Sequence, residues 1–232
     1  MIDQLIELDK SLLLFLNGSD SLFLDGFFLK LTKTVTWIPF FLCMLYVVIK
    51  NNNARRCLIL LGMTVLLVVA SDQFSSGLCK PFFHRFRPSH EPSLVNLIDL
   101  ANNYKGSLYG FISGHATNTF AIAIFFSLIF RNTSTTVILF LWAIMASYSR
   151  IYLGMHYPGD ILAGALAGTL IALTFYYVYQ LLSRKYCVQR ENYSSLFTST
   201  GYMKKDFLIL SIVFLVTLLY IIFAGIYYAF LR

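Results

Sequence analysis

The chain has 232 residues, 58% hydrophobic and 12% charged, with 18 Lys and Arg against 11 Asp and Glu, a net charge of +7. A soluble domain is about 45–50% apolar and about 25% charged, so this composition argues against a soluble enzyme, a disordered chain or a disulfide scaffold. It specifies an all-α, polytopic helical membrane protein, whose basic excess belongs to membrane-protein loops rather than to a nucleic-acid surface.

In chain order, the first element is an amphipathic helix carried by Ile2, Leu5, Ile6, Leu12, Leu13 and Leu16. Asp3, Glu7 and Asp9 replace the basic start of a signal peptide. The helix reads either as an interfacial element lying along the membrane or as a cap on the bundle. Six apolar segments follow as expected spans: Thr34–Ile49, Cys57–Phe74, Ile112–Phe130, Thr135–Ser149, Ile161–Ser183 and Phe207–Leu231. A span needs about 17–25 apolar residues. The first and fourth are short, the first with upstream help from Leu22–Leu31 and the fourth with room to extend at either end. The whole chain, residues 1–232, reads as one membrane domain.

The connections differ in character. Lys50–Arg56 and Arg131–Ser134 are short turns, Arg184–Asp206 is a basic loop, and Ser75–Phe111 is a long polar loop of the kind that often carries function. Six spans place Ser75–Phe111 and Arg150–Asp160 on one side. Nine of the 18 Lys and Arg fall on the other side, with only Glu191 and Asp206 as acids. The bias puts the 184–206 loop in the cytoplasm and the 75–111 loop outside. Cys43 and Cys57 lie in apolar runs, and no Cys spacing indicates a zinc site or a disulfide framework.

Three segments carry chemistry, all within residues 80–160. The first runs from Lys80 to Arg87-Pro88, the second is Ser113-Gly114-His115, and the third is Ser149-Arg150 followed by His156 and Asp160. Lys80, Arg87 and Arg150 are cations near an apolar boundary, where charge usually has a partner or a function. Against the single carboxylate of Asp160 they leave a positive pocket suited to a phosphate. Ser113 and Gly114 open a span, where hydroxyl and N–H groups can donate to an anion. His156 and Asp160 stand at i,i+4, so the carboxylate can fix the imidazole tautomer and leave the other nitrogen nucleophilic. His115, from another span, can protonate a leaving oxygen.

With these residues in place, the chain resembles the type 2 phosphatidic acid phosphatase superfamily of membrane lipid phosphatases. That pattern is Lys, six residues, Arg-Pro; then Pro-Ser-Gly-His; then Ser-Arg, five residues, His, three residues, Asp. The chain departs from it only at Ile112, where the family has Pro. The resemblance implies that His156 forms a phosphohistidine oriented by Asp160, that His115 protonates the leaving lipid oxygen, and that Lys80, Arg87, Ser113, Gly114 and Arg150 bind phosphate. It implies no metal and no cofactor, which agrees with a lone carboxylate in the motifs. The expected substrate is an envelope lipid, lipid A phosphate or undecaprenyl diphosphate. Phosphatidate and phosphatidylglycerol phosphate are the alternatives, in a bacterial inner membrane with the site facing the periplasm. An intramembrane serine hydrolase using Ser113 and a non-catalytic lipid transporter are the rivals from other classes. The sequence leaves the oligomeric state open.

Around the motifs, His84, Arg85 and His90 read as solvated or headgroup-contacting. Asp72 reads as paired with a loop cation, and Gly164 with Gly168 as a close helix contact inside the monomer.

Overall fold

The computed structural model describes residues 2–101, 105–187 and 194–231. Arg190 and Glu191, counted above in the basic loop, lie outside the described residues. The described chain is all-helical: α1 (Ile2–Leu16), α2 (Leu22–Leu31), α3 (Ile38–Asn51), α4 (Ala54–Asp72), α5 (Lys80–Phe83), α6 (Gly114–Phe130), α7 (Thr133–Tyr152), α8 (Pro158–Tyr186) and α9 (Asp206–Phe230).

Among the described residues, five helical stretches are long and apolar enough to cross a membrane: Thr34–Asn51, Ala54–Phe83, Thr133–Tyr152, Pro158–Tyr186 and Asp206–Phe230. The remaining expected span, Ile112–Phe130, is α6, only 17 residues long. Its start is set by Ser113, whose side chain accepts a hydrogen bond from the Ala116 N–H and satisfies a donor the first turn cannot pair internally. Asn53 and Asn132 cap α4 and α7 in the same way. The outward faces of the long helices are apolar, with Leu58, Val65, Leu162, Leu166, Leu215 and Phe223 all more than half exposed. That much contiguous apolar surface marks contact with lipid, and the chain is an integral membrane protein.

Two boundaries differ from the sequence reading. Leu22–Leu31 is a separate helix that packs on α9 rather than an extension of the first span. Past Asp72 the second span continues through a π-helical stretch, Gln73–Cys79, into α5. The polar loop therefore begins near His84, whose left-handed backbone (φ 48°) ends the helix. Lys80 is consequently presented from a helix, one turn after Ser76, and not from a loop.

α6 sits at the centre, packed against α8, α7 and α4. Gly164 and Gly168 make the closest approach possible. A Cβ at Gly164 would fall 2.7 Å from the Ser113 carbonyl oxygen, and one at Gly168 would run into that of Thr117. The Gly-xxx-Gly is therefore an intramolecular seam that brings the start of α8 beside the start of α6. α1 closes this end of the bundle. Leu13 is fully buried in a cluster with Leu94, Ala116, Ile151, Tyr157 and Ile161, while Leu5, Leu8, Leu12 and Phe15 form an exposed apolar edge. The cap and the interfacial readings are thus two faces of one helix. Asn17 fastens its end, donating from Nδ2 to the Tyr152 carbonyl at 2.7 Å and accepting from the Asp99 N–H at 2.8 Å.

Candidate active site

The helix ends at this face bring the three motif segments together. His156 lies in the tight connection between α7 and α8 and is 2% exposed. Its Nδ1 is 3.3 Å from Asp160 Oδ2 across the i,i+4 turn, as the spacing predicts. Its Nε2 is 3.1 Å from Arg87 Nη1. Arginine can only donate, so Nε2 is the accepting nitrogen and Nδ1 carries the hydrogen towards Asp160. The network thereby assigns one tautomer, with the Nε2 lone pair facing a cation. Burial, reinforced by the positive charges of Arg87, Arg150 and Lys80, holds this imidazole well below the usual histidine range, so it is neutral at physiological pH.

Asp160 is fully buried in the first turn of α8. It accepts the Tyr157 N–H at 3.1 Å through Oδ2 and Arg85 Nη1 at 2.8 Å through Oδ1. Arg85 extends in turn to Asp9 Oδ2 at 2.7 Å, and its guanidinium lies 4.0 Å over the Tyr157 ring. Asp9 closes the chain by accepting the Gly159 N–H at 2.7 Å. An α1 carboxylate is therefore linked through one arginine to the carboxylate behind His156. Opposing charges on both sides keep the Arg85 guanidinium protonated despite burial.

The cations surround this histidine. Arg87 donates to the Met155 carbonyl and to Ser107 Oγ, both at 3.2 Å. It rests against Gly110, where a Cβ would lie 3.0 Å from its Cγ. Lys80 donates to Ser76 Oγ at 2.9 Å. Its ammonium also lies 3.8 Å from where a Cβ on Gly114 would sit, so glycine leaves room between that cation and the start of α6. Arg150 is 7% exposed and donates to Thr32 Oγ1 at 2.9 Å. His115 lines a cavity together with Thr32 and is close enough to Arg150, His156 and Arg87 to feel their charge. Thr32 thus fastens the third cation beside the second histidine.

Several expectations need correction. Ser113 is fully buried, and its N–H donates to the Asp160 carbonyl at 3.1 Å rather than facing an anion. Arg85, read as solvated or headgroup-contacting, is instead the bridge between Asp9 and Asp160. Its place between Lys80 and Arg87 was the only signal, and nothing in sequence points to Asp9, 76 positions away. Asp72 is exposed and forms no ion pair among the described residues, since the neighbouring Lys80 turns to Ser76. His84 packs edge-on against Tyr109, and His90 pairs with Ser89. A serine nucleophile fits poorly, because the buried Ser113 hydroxyl caps α6 while the cations gather around His156.

The PAP2 superfamily model matches residues 61–184, which span all three segments. The chain is 37% identical over 186 residues to the lipid A 4'-phosphatase of Bacteroides thetaiotaomicron, covering 80% of this chain and 83% of that one. It is also 37% identical over 178 residues to the lipid A 4'-phosphatase of Porphyromonas gingivalis, covering 77% and 75%. A putative undecaprenyl-diphosphatase of Escherichia coli is 36% identical over 75 residues, 32% of this chain. No solved structure gives a significant match. With its helical bundle, its gathered motif residues and a family match across more than half its length, the chain belongs to the PAP2 superfamily.

Proposed function

We propose that the protein is a lipid phosphate phosphohydrolase acting through a phosphohistidine. The observation that carries this reading is the His156 ring, held by Asp160 at Nδ1 with its Nε2 lone pair towards the Arg87 cation. Nε2 attacks phosphorus as the bond to the lipid oxygen breaks, and His115 gives that oxygen its proton. Water then attacks the phosphohistidine, losing its proton to His115 and releasing inorganic phosphate with neutral His156. Lys80, Arg87 and Arg150 stabilise charge on the transferring group, with the α6 start at Gly114 as an added donor. Ser113 serves as the cap that sets the start of α6. The favoured substrate is lipid A 4'-phosphate, because the relatives bearing that activity align along most of both chains. Undecaprenyl diphosphate is the second reading, supported by the shorter alignments. The loop charges favour an inner-membrane protein whose site faces the periplasm.

The test is phosphate release by purified protein from lipid A, undecaprenyl diphosphate, phosphatidate and phosphatidylglycerol phosphate. Fastest release from the lipid A 4'-position supports the reading, and release from none refutes it. Every charge-stabilising role falls to a protein cation, so a chelator is expected to leave the rate unchanged; strict dependence on added Mg²⁺ would require another mechanism.

Two further outcomes follow from the geometry. Lysine at position 85 can reach only one of the two carboxylates, and a charged hydrogen bond contributes about 1.5–3 kcal/mol. Arg85→Lys should therefore lower kcat roughly tenfold to a hundredfold with little change in KM, since Asp160 loses its orientation while the phosphate ligands stay. A rise in KM alone would place Arg85 on the substrate instead. The second outcome concerns pH. Because the folded protein disfavours charged His156, the ring should remain neutral as the pH falls through the ordinary histidine range. Nitrogen-15 NMR of labelled histidines, with the His156 signal identified by substitution, should show the Nδ1–H tautomer still dominant at about pH 6. A protonation midpoint at or above the ordinary value would contradict the charge arrangement.

A further inference from the structure

Beside the phosphate-facing residues is a cavity of about 190 Å³ that His115 lines and that lies between α2, α3, α4, α6 and α7. Its wall is mostly apolar, with Leu31, Phe41 and Ile122 among its residues, and it contains no Lys or Arg. A phosphate finds no cation there. The volume falls below the roughly 300–1,000 Å³ of a whole-ligand site, so it accommodates part of a larger molecule. Two groups in the wall stand out. Asn118 Oδ1 and Trp142 Nε1 are buried and meet no hydrogen-bond partner among the described residues, and Trp142 is 4% exposed. Such atoms are costly to leave unsatisfied. The amide offers a donor and an acceptor whichever way it is turned, and the indole N–H only donates.

We propose that this cavity is the subsite for the leaving group, and that Asn118 and Trp142 select an alcohol carrying a hydroxyl or amide beside the reacting ester, as a sugar ring does. The inference rests on the lipid phosphatase reading, in which His115 touches the leaving oxygen. The atoms attached to that oxygen then continue past His115 into the space on its far side. Undecaprenyl diphosphate departs as undecaprenyl phosphate, so a charged phosphate rather than a carbon follows its leaving oxygen, and the apolar wall holds no cation to receive it. A substituted pyranose offers an apolar face together with hydroxyl or amide partners. The subsite therefore deepens the choice between the two envelope lipids, favouring a saccharolipid monoester, whose ring meets the apolar wall and the polar pair together, over a rival that would bury a phosphate charge there without a cation.

The chain has two tryptophans, Trp37 and Trp142, and both line this cavity. Tryptophan emission of the unaltered protein in nanodiscs therefore reports occupancy without any substitution or turnover. Titration with 4'-dephosphorylated lipid A should shift or quench the emission saturably, and titration with undecaprenyl phosphate should not. An equal response to both, or a response to neither, overturns the proposal. In parallel, Asn118→Leu and Trp142→Phe should each lower the ratio of kcat/KM for lipid A over undecaprenyl diphosphate by about tenfold, the worth of one hydrogen bond. A parallel loss on both substrates leaves the ratio unchanged and assigns these residues to structure or to bound water, which also overturns it. If the unaltered protein releases phosphate from no lipid, the phosphatase reading fails, while the titration separately decides whether the cavity takes the sugar lipid.

Discussion

Replacing His156 by alanine is expected to reduce phosphate release from lipid phosphates by at least about 10⁴-fold, the scale seen when a covalent nucleophile is removed. No other group can take its place. His115 is committed to the leaving oxygen in this reading, and the Ser113 hydroxyl is buried as the cap of α6. The fold should tolerate the change, because the helix start behind it is fixed independently. The Tyr157 N–H and Arg85 both remain on Asp160, and Asp9 still holds the Gly159 N–H. The assay is inorganic phosphate released by purified variant and parent at matched amounts of folded protein. Activity within about tenfold of the parent, too small a loss for a missing nucleophile, would place the covalent step elsewhere.

His115→Ala should separate the two halves of the reaction. General acid catalysis contributes typically 10²–10⁴-fold, and it matters only when the departing oxygen needs a proton. With a lipid phosphate, whose alkoxide is a poor leaving group, the variant should lose roughly that factor. With p-nitrophenyl phosphate, whose phenolate departs unaided, formation of the phosphoenzyme should be nearly as fast as in the parent. It should then accumulate, because the same histidine activates the water that clears it. The readout is a burst of nitrophenol followed by slow turnover. Equal losses in the burst for both substrates would remove His115 from the leaving oxygen and make it a positioning residue.

The legible part of the site was its covalent pattern. The i,i+4 spacing of His156 and Asp160 translates directly into a contact because it spans one turn at a helix start, where backbone geometry permits little else. The gathering of Lys80, Arg87 and Arg150 was legible too, since alternation of spans puts their segments at one face. Hidden from the sequence was what long-range packing decides. Asp9 reaches Arg85 because Leu13, one helical turn later, is buried against α8. Thr32 became a ligand of Arg150 because Leu22–Leu31 folds as its own helix and delivers its end to the site. The π-helical continuation through Gln73–Cys79 was masked by its polar residues Ser75 and Ser76, which read as loop. One of them, Ser76, proves to be the hydrogen-bond partner of Lys80. α6 was counted as a full span from composition, but the cap at Ser113 starts it two residues late and leaves it short.

The most direct measurement is a rapid acid-free quench of the purified protein during turnover, followed by peptide mass spectrometry. The account predicts one phosphoryl group on the peptide containing His156, attached at Nε2, labile to acid and absent from the His156→Ala protein. A phosphoryl group on Ser113 or His115, or steady turnover with no covalent phosphate at all when the chemical quench captures a known phosphohistidine control, would contradict it.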